Sequence, residues 1–195
     1  MSNLENEHGL SWLDLREPEV LSDEVKAAYA TSVANIGFVR GMQKLMANVP
    51  EVMLAQGGLS GALMKSPSSN LSFKEREIMA LVVSVENRCA PCIFAHASQL
   101  RSLGLSAVWV GTIEANYRHA DLTPRERALA DYAIKLTRAP GDMNKADIDP
   151  LREAGLSEVD IIFAAGIIAF YNFSNRLCSG LGIATNTPDY EGHRG

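Results

Sequence analysis

Four side chains near the middle of the chain have the types and spacing needed for thiol chemistry: Glu77, Cys89, Cys92 and His96. Cys89 and Cys92 form a C-x-x-C sequence, and His96 follows Cys92 by four residues, so the two share one helix face. A thiol attacks as its thiolate, and a helix N-terminus favours the thiolate. Glu77, on the preceding helix, can orient His96 or hold its proton. We therefore predict a dithiol redox site in which Cys89 resolves a sulfenic acid formed at Cys92.

Two other interpretations of these residues stay open. The cysteines can be small core residues, and His96 a buried histidine with its hydrogen bonds satisfied. Alternatively, Cys89, Cys92 and His96 can ligate zinc, although a closed zinc site usually has four protein ligands and the sequence contains no second C-x-x-C. Cys178 stands far along the chain in an apolar segment, and we expect it to be a core residue rather than a partner thiol.

Tyr171 and Asn175 lie in a segment in which aromatic and polar residues alternate. Either side chain can line the pocket of the site. Core packing or interface contacts are the stronger expectation for both.

Two consecutive helices must position the four side chains. Ser72 is suited to cap the first, and Glu75, three residues later, completes a capping box. This helix ends at the polar break Glu86-Asn87-Arg88, and the second helix begins with the two cysteines. Apolar residues recur at helical spacing almost throughout and no alternating segment is sustained, so we predict an all-α helical bundle. Further helices are expected at about 22–36, 39–47, 107–119, 123–137, 145–153 and 157–173. Another begins at residue 50, and a final one leads from about residue 173 to residue 180.

An internal repeat accompanies these helices. Leu71-Ser72-x-Lys74-Glu75-Arg76 recurs as Leu122-Thr123-x-Arg125-Glu126-Arg127, an offset of 51 residues that also relates Gly104-Leu105-Ser106 to Gly155-Leu156-Ser157. We interpret this as a duplicated helical unit whose two copies pack around a pseudo-twofold axis. The positions equivalent to the four reactive residues are Ala128, Pro140, Met143 and Asp147. The second copy has therefore kept the helix starts and lost the reactive groups.

The expected organisation is one domain with two short terminal segments. Residues 1–21 form an N-terminal arm, residues 22–182 form the all-α domain, and residues 183–195 form a tail. The repeat units within the domain are about 71–121 and 122–182.

Composition and charge exclude several classes of protein. A net charge of −5 and a pI near 5.4 argue against a nucleic-acid surface. No apolar run approaches the length of about 20 residues that a membrane span needs. The first residues lack the basic start and apolar core of a signal peptide, and three cysteines do not make a secreted disulfide framework. We expect a cytoplasmic protein without membrane or nucleic-acid partners.

Glu77, the Cys89-Ala90-Pro91-Cys92 sequence and His96 together resemble the pattern of the alkyl hydroperoxidase D-like branch of the carboxymuconolactone decarboxylase family. The resemblance covers roughly residues 71–182 and is closest to the peroxidase-related proteins of that branch. It implies the all-α bundle of the family, assembled as a homo-oligomer such as a dimer, trimer or hexamer.

The resemblance also implies a mechanism. Cys92 would be the peroxide-attacking thiol, Cys89 the resolving thiol, and Glu77 with His96 a proton relay, with no bound cofactor. The substrates would be hydrogen peroxide or organic hydroperoxides, and a dithiol or lipoyl-bearing protein the reductant. The hydroperoxidase proper has a histidine immediately before its second cysteine, where this chain has Pro91, so part of that relay is missing. The alternatives are a non-catalytic redox sensor or a general disulfide oxidoreductase, with decarboxylase chemistry or a zinc-binding structural role less expected.

Overall fold

A computed structural model describes residues 9–194, and within them the chain forms ten α-helices and no strand. The predicted all-α class is confirmed. The first eight residues of the expected arm and Gly195 at the end of the tail lie outside the described residues. The helices are α1 (Asp23–Ile36), α2 (Gly41–Met46), α3 (Pro50–Lys65), α4 (Phe73–Glu86), α5 (Ala90–Ser102), α6 (Ala107–Asn116), α7 (Pro124–Arg138), α8 (Asp149–Glu153), α9 (Glu158–Leu181) and α10 (Thr187–Glu191).

Helix α4 is the centre of the bundle, and α5, α7 and α9 pack around it. Six consecutive residues of α4, from Ile78 to Val83, are at most 1% exposed. A helix that is apolar on all sides can be stable only when its neighbours surround it. The large side chains that meet α4 from the other helices include Leu100, Ile113, Leu129, Ile167 and Ile168, all fully buried. The helix that carries Glu77 is therefore held rigidly.

Hydrogen-bonded caps fix where the main helices begin. Ser72 accepts a hydrogen bond from the Glu75 backbone N–H, and the Glu75 carboxylate accepts one from the Ser72 backbone N–H at 2.7 Å. Thr123 and Glu126 form the same capping box at the start of α7. Such a box satisfies two otherwise unpaired amides. The sequence-predicted starts of α4 and α7 are confirmed.

The two sequence copies also exchange ion pairs. Lys74 Nζ lies 2.7 Å from Glu126 Oε1, and Arg125 Nε lies 2.6 Å from Glu75 Oε1. Lys74 corresponds to Arg125, and Glu75 to Glu126, under the 51-residue offset. Each capping glutamate thus closes its own helix with one oxygen and binds the basic residue of the other copy with the second.

The turns that follow α5 and α8 also have the same backbone conformation in the two copies. Gly104 and Gly155, equivalent under the offset, both have left-handed backbone conformations, with φ of 85° and 80°. Ser106 and Ser157 then cap α6 and α9 through the same hydrogen bond to the third helical residue. These equivalences support the duplication proposed from the sequence.

One prediction of helix extent is wrong. The segment expected as two helices, breaking near Phe173, is the single 24-residue helix α9. No proline interrupts it, and Asn172 and Asn175 donate hydrogen bonds to residues of α7 and α4. By length and apolar composition α9 also meets the requirements of a membrane span, contrary to the sequence expectation. Its buried apolar residues, among them Ile167, Ile168 and Phe170, pack in the core around α4.

The arm and the tail meet on the bundle. The backbone N–H of Trp12 donates to Leu181, and that of Ala184 donates to Leu10. Gly182 ends α9 in a left-handed conformation with φ of 60°, and a side chain there would clash with the Trp12 ring. The arm segment therefore lies directly beside the end of α9. The boundaries of the arm, domain and tail stay a prediction.

Candidate active site

The turn between α4 and α5 places the first cysteine. The N–H of Arg88 donates to Val85 and that of Cys89 donates to Ser84, the two hydrogen bonds of a Schellman motif. This motif needs one residue in the left-handed region, and here it is Arg88, with φ of 54°, rather than a glycine. The chain consequently reverses within three residues, and Cys89 becomes the N-cap of α5.

A buried asparagine supports this turn from α9. Asn175 is fully buried and donates to Ser84 Oγ at 3.1 Å, while Asn87 Nδ2 donates to Asn175 Oδ1 at 3.0 Å. Asn87 Nδ2 also donates to Asn172. These contacts tie the end of α4 to α9, so Asn175 positions the turn that carries Cys89. These contacts agree with the expectation that Asn175 packs in the core rather than lining the pocket of the site.

The two cysteines of the motif lie in and before the first turn of α5. Cys89 is 1% exposed and Cys92 is 7% exposed, so Cys92 is the more accessible thiol. Pro91 occupies the second helical position, where a missing N–H removes no helical hydrogen bond.

Glu77 and His96 are hydrogen-bonded to each other. Glu77 Oε2 lies 2.7 Å from His96 Nδ1, and both side chains are buried. The bond fixes the imidazole so that Nε2 is the nitrogen left for other partners. Tyr171 packs edge-on against the His96 ring, with ring centroids 4.4 Å apart. The structure thus places Tyr171 against the site, where burial and the Glu77 charge raise the pKa of its hydroxyl.

Cys178 lies with the C-x-x-C cysteines, which is the main departure from the sequence analysis. The sulfurs of Cys89, Cys92 and Cys178 all lie within 4.8 Å of one another. All three cysteines are free and buried. Cys178 is a buried core residue, as expected, but the expectation that it lies apart from the other two thiols is wrong. No spacing in the sequence indicated this contact, because it depends on α9 continuing past Phe173 to the start of α5.

Hydrogen bonds among the three thiols shift their pKa values. Hydrogen bonds from Cys178 and then Cys92, assisted by the backbone N–H of Cys92, lower the pKa of Cys89 despite its burial. The pKa of Cys92 is raised chiefly by its hydrogen bonds to Cys178 and Cys89, and that of Cys178 is raised chiefly by its hydrogen bond to Cys89, although Cys92 acts in the opposite direction; burial adds to both. Of the three thiols, Cys89 therefore most favours the thiolate form, with the other two as hydrogen-bond donors.

An apolar shell packs against the thiols. It consists of Leu10, Met42, Leu45, Leu181 and Ile183, contributed by the arm, α2, the end of α9 and the start of the tail. Nearby, Arg40 makes two hydrogen bonds to Asp189 of α10, at 2.8 and 2.9 Å. This ion pair fastens the start of α2 to the tail. The sequence analysis missed both the shell and the ion pair, since neither has a local pattern.

Comparisons with known proteins agree with this architecture. A sequence profile of the carboxymuconolactone decarboxylase family matches residues 50–135. A comparison of the sequence with curated proteins found no match. A crystal structure of a peroxidase-related protein from Ralstonia eutropha JMP134, described as an alkylhydroperoxidase AhpD core, is 30% identical with a TM-score of 0.90. The match covers 96% of this chain and 98% of that one.

Two further structures are similar. A peroxidase-related protein from Silicibacter sp. TM1040 is 32% identical with a TM-score of 0.89, over 95% of this chain and 96% of that one. The debrominase Bmp8 is 21% identical with a TM-score of 0.77, over 92% and 96% of the two chains, which shows a shared fold alone. From the two closer relatives and the helical architecture, the chain belongs to the carboxymuconolactone decarboxylase family, in its alkyl hydroperoxidase D-like, peroxidase-related branch.

Proposed function

We propose that this protein is a dithiol peroxidase that reduces hydrogen peroxide or organic hydroperoxides. The observation that carries the proposal is the hydrogen-bonded Glu77–His96 pair, which lies one helical turn from a buried C-x-x-C pair. A sensor needs thiols, but it does not need a buried carboxylate–imidazole pair beside them. The fold alone does not choose the reaction, because the same fold carries a debrominase.

In the proposed reaction, Cys92 attacks the terminal oxygen of the hydroperoxide. The O–O bond breaks, Cys92 becomes a sulfenic acid, and the alkoxide or hydroxide that leaves takes a proton. Cys89 then attacks the Cys92 sulfur, which forms the disulfide and releases water. An external dithiol returns two electrons and two protons to restore the thiols. A dithiol or lipoyl-bearing protein is the proposed reductant.

The proton movements follow from the charge of the resting cluster. Because Cys92 donates a hydrogen bond to Cys89, its sulfur must lose a proton before it attacks. His96, on the same face of α5, is the group proposed to take that proton, and Glu77 stabilises the resulting imidazolium. His96 then supplies the proton to the leaving oxygen. The greater exposure of Cys92 supports its assignment as the attacking thiol over Cys89.

The proposal is tested by stopped-flow oxidation of the reduced protein with hydrogen peroxide and cumene hydroperoxide, with thiols counted before and after. Rapid loss of two thiols, abolished in Cys92→Ser and slowed in His96→Ala, is the expected result. A sulfenic acid trapped on Cys92 in the Cys89→Ser protein would assign the attacking sulfur. A rate no faster than that of a free thiol, unaffected by His96→Ala, would exclude the peroxidase and leave a disulfide oxidoreductase or redox sensor.

We further propose a cytoplasmic homo-oligomer. The free thiols are suited to a reducing compartment. Exposed apolar residues follow one stripe of α9, where Ile162 is 69% exposed and Phe173 is 48% exposed and they lie about three turns apart. Such a stripe is suited to a contact between copies. Sedimentation of the wild type and of Phe173→Glu tests this: a smaller species in the variant is expected, and unchanged sedimentation would reject the stripe as the interface.

A further inference from the structure

The three cysteines form a set of soft ligands that peroxide reduction does not require. Two thiols suffice to form and resolve a sulfenic acid, yet Cys178 brings a third sulfur to within 4.8 Å of both others. It comes from α9, whereas Cys89 and Cys92 come from the start of α5. Three sulfurs bound to one central atom at about 2.3 Å lie roughly 3.5 to 4 Å apart. Small side-chain rotations would therefore close the cluster around a single atom.

The ligand count restricts what this atom can be. Zinc in a closed site takes four protein ligands in a tetrahedron, and the cluster supplies three. Among the described residues, the group of possible ligand atoms that lie within 4.8 Å of one another contains these three sulfurs and neither ring nitrogen of His96. Thiolate ligands select soft, thiophilic centres. A three-coordinate thiophilic centre is the class that fits the donor set.

The surroundings restrict the charge of the complex. The shell around the sulfurs consists of leucine, isoleucine and methionine side chains. The nearby Arg40 is already paired with Asp189 through two hydrogen bonds. Burying an uncompensated charge among apolar groups is costly. Three thiolates leave a net charge of −1 on a divalent ion and −2 on a monovalent ion, but they neutralise a trivalent centre completely.

From these observations, we propose that Cys89, Cys92 and Cys178 form a binding site for a trivalent thiophilic metalloid, with arsenite as the representative ligand. Arsenous acid exchanges its three hydroxyl groups for three sulfurs. Three As–O and three S–H bonds break, and three As–S bonds and three water molecules form. Where Cys89 is already a thiolate, solvent supplies the third proton. Arsenic stays trivalent, so nothing is oxidised or reduced, and the buried product is neutral.

The test uses the reduced full-length protein under anaerobic conditions, titrated with sodium arsenite and followed by native mass spectrometry. One arsenic atom bound per chain with loss of three protons is expected. Cys178→Ser and Cys178→Ala should each weaken binding by at least about 100-fold, since they remove a direct ligand and even outer contacts of a site are worth 10- to 100-fold. Val108→Ala, which changes an exposed side chain of α6 and removes no sulfur, is the control and should bind as the wild type does.

X-ray absorption of the wild-type complex gives a second measurement that needs no variant. Three sulfur neighbours and no oxygen around arsenic are the expected result. Two sulfurs and one oxygen, or a Cys178→Ser protein that binds arsenite as tightly as the wild type, would overturn the proposal, because C-x-x-C alone would then account for binding. Tighter binding of cadmium than of arsenite would also overturn it, since the argument from charge would be wrong. None of these results depends on peroxidase activity.

Discussion

Glu77 Oε2 lies 2.7 Å from His96 Nδ1, and this hydrogen bond joins the central helix of the bundle to the helix that begins at the cysteines. Both residues are at most 8% exposed. A buried carboxylate in this position stabilises a protonated imidazole, and a neutral amide does so far less. In the proposed relay, this pair is what would make His96 a base for a thiol proton.

The first prediction follows from that bond. Glu77→Gln keeps the shape of the side chain and removes its charge, so the rate of thiol oxidation by cumene hydroperoxide should fall by about 100-fold, within the range of general acid–base catalysis. Glu86→Gln is the control, because Glu86 lies at the end of the same helix and pairs with Arg138 away from the thiols. Stopped-flow rates of both variants check this. Equal rates in wild type and Glu77→Gln would remove Glu77 from the relay.

A second prediction concerns the thiol cluster. The Cys178 thiol is the largest contribution that lowers the pKa of Cys89, so Cys178→Ala should raise that pKa. Hydrogen bonds to charged groups are worth about 1.5–3 kcal/mol, or about 1 to 2 pH units. The pH dependence of Cys89 alkylation by iodoacetamide, located by peptide mass spectrometry, should shift upward by that amount. Val108→Ala serves again as the control, and an unshifted Cys178→Ala profile would contradict the hydrogen bond.

A third prediction concerns acid stability. Asp160 is 1% exposed; burial raises the pKa of its carboxyl, but hydrogen bonds from Ser157, Ser69 and the backbone of Asn70 outweigh it and lower the pKa from 3.8 to about 2. A depressed carboxyl pKa contributes stability above the unfolded-state value that is lost as pH falls through the folded-state value. Asp160 should thus contribute about 2 kcal/mol above pH 4, lost between about pH 4 and pH 2.

Urea unfolding of Asp160→Asn between pH 2 and pH 7 measures that contribution. The variant should be less stable than the wild type at pH 7, and the difference should shrink as the pH falls. Asp14→Asn, at an exposed position of the arm, should show no such pH-dependent difference. If the difference in unfolding free energy between Asp160→Asn and the wild type stays constant with pH, the effect comes from packing rather than from charge.

The fourth prediction concerns the turn before Cys89. Arg88 is exposed and has φ of 54°, a conformation that costs a non-glycine residue roughly 1–2 kcal/mol. Arg88→Gly removes that strain but makes the unfolded chain more flexible, which costs about 0.4–1 kcal/mol. The free energy of unfolding of the variant should be about 0.5–1 kcal/mol higher than that of the wild type.

Denaturant unfolding at neutral pH checks this expectation, with Gly104→Ala as the opposite case. Gly104 has φ of 85° and open space around the position of a Cβ atom, so its substitution tests conformational strain without a clash. It should lose stability while Arg88→Gly gains it. A loss of stability in Arg88→Gly would mean that the arginine side chain contributes more than its conformation costs.

The sequence predicted the parts of the structure that depend on neighbouring residues. Capping boxes indicated where two helices begin, because all the residues of such a box lie within four positions of the sequence. These boxes are Ser72 with Glu75 and Thr123 with Glu126. The spacing of Cys92 and His96 likewise follows from one helical turn. The roles assigned to Glu77, Cys89, Cys92 and His96 stay predictions, although the contact between Glu77 and His96 is present in the structure.

Contacts between distant segments could not be predicted in this way. Cys178 reaches the site because α9 runs unbroken for 24 residues, past Phe173, where the sequence analysis expected one helix to end and another to begin. The Arg40–Asp189 pair joins residues 149 positions apart. Neither contact has a local signal, since each depends on how whole helices pack.

The crossed pairs Lys74–Glu126 and Arg125–Glu75 give the two halves of the chain a self-complementary interface. In a twofold homodimer, every contact occurs twice: if residue i of one protomer contacts residue j of its partner, then residue j of the first protomer contacts residue i of the partner. The protein thus has the form of a dimer whose protomers have been fused in tandem. Fusion lets the two members of a symmetric pair diverge, which explains how one half holds Cys89 and Cys92 while the other holds Pro140 and Met143. A symmetric homodimer of such a unit would carry two thiol sites or none.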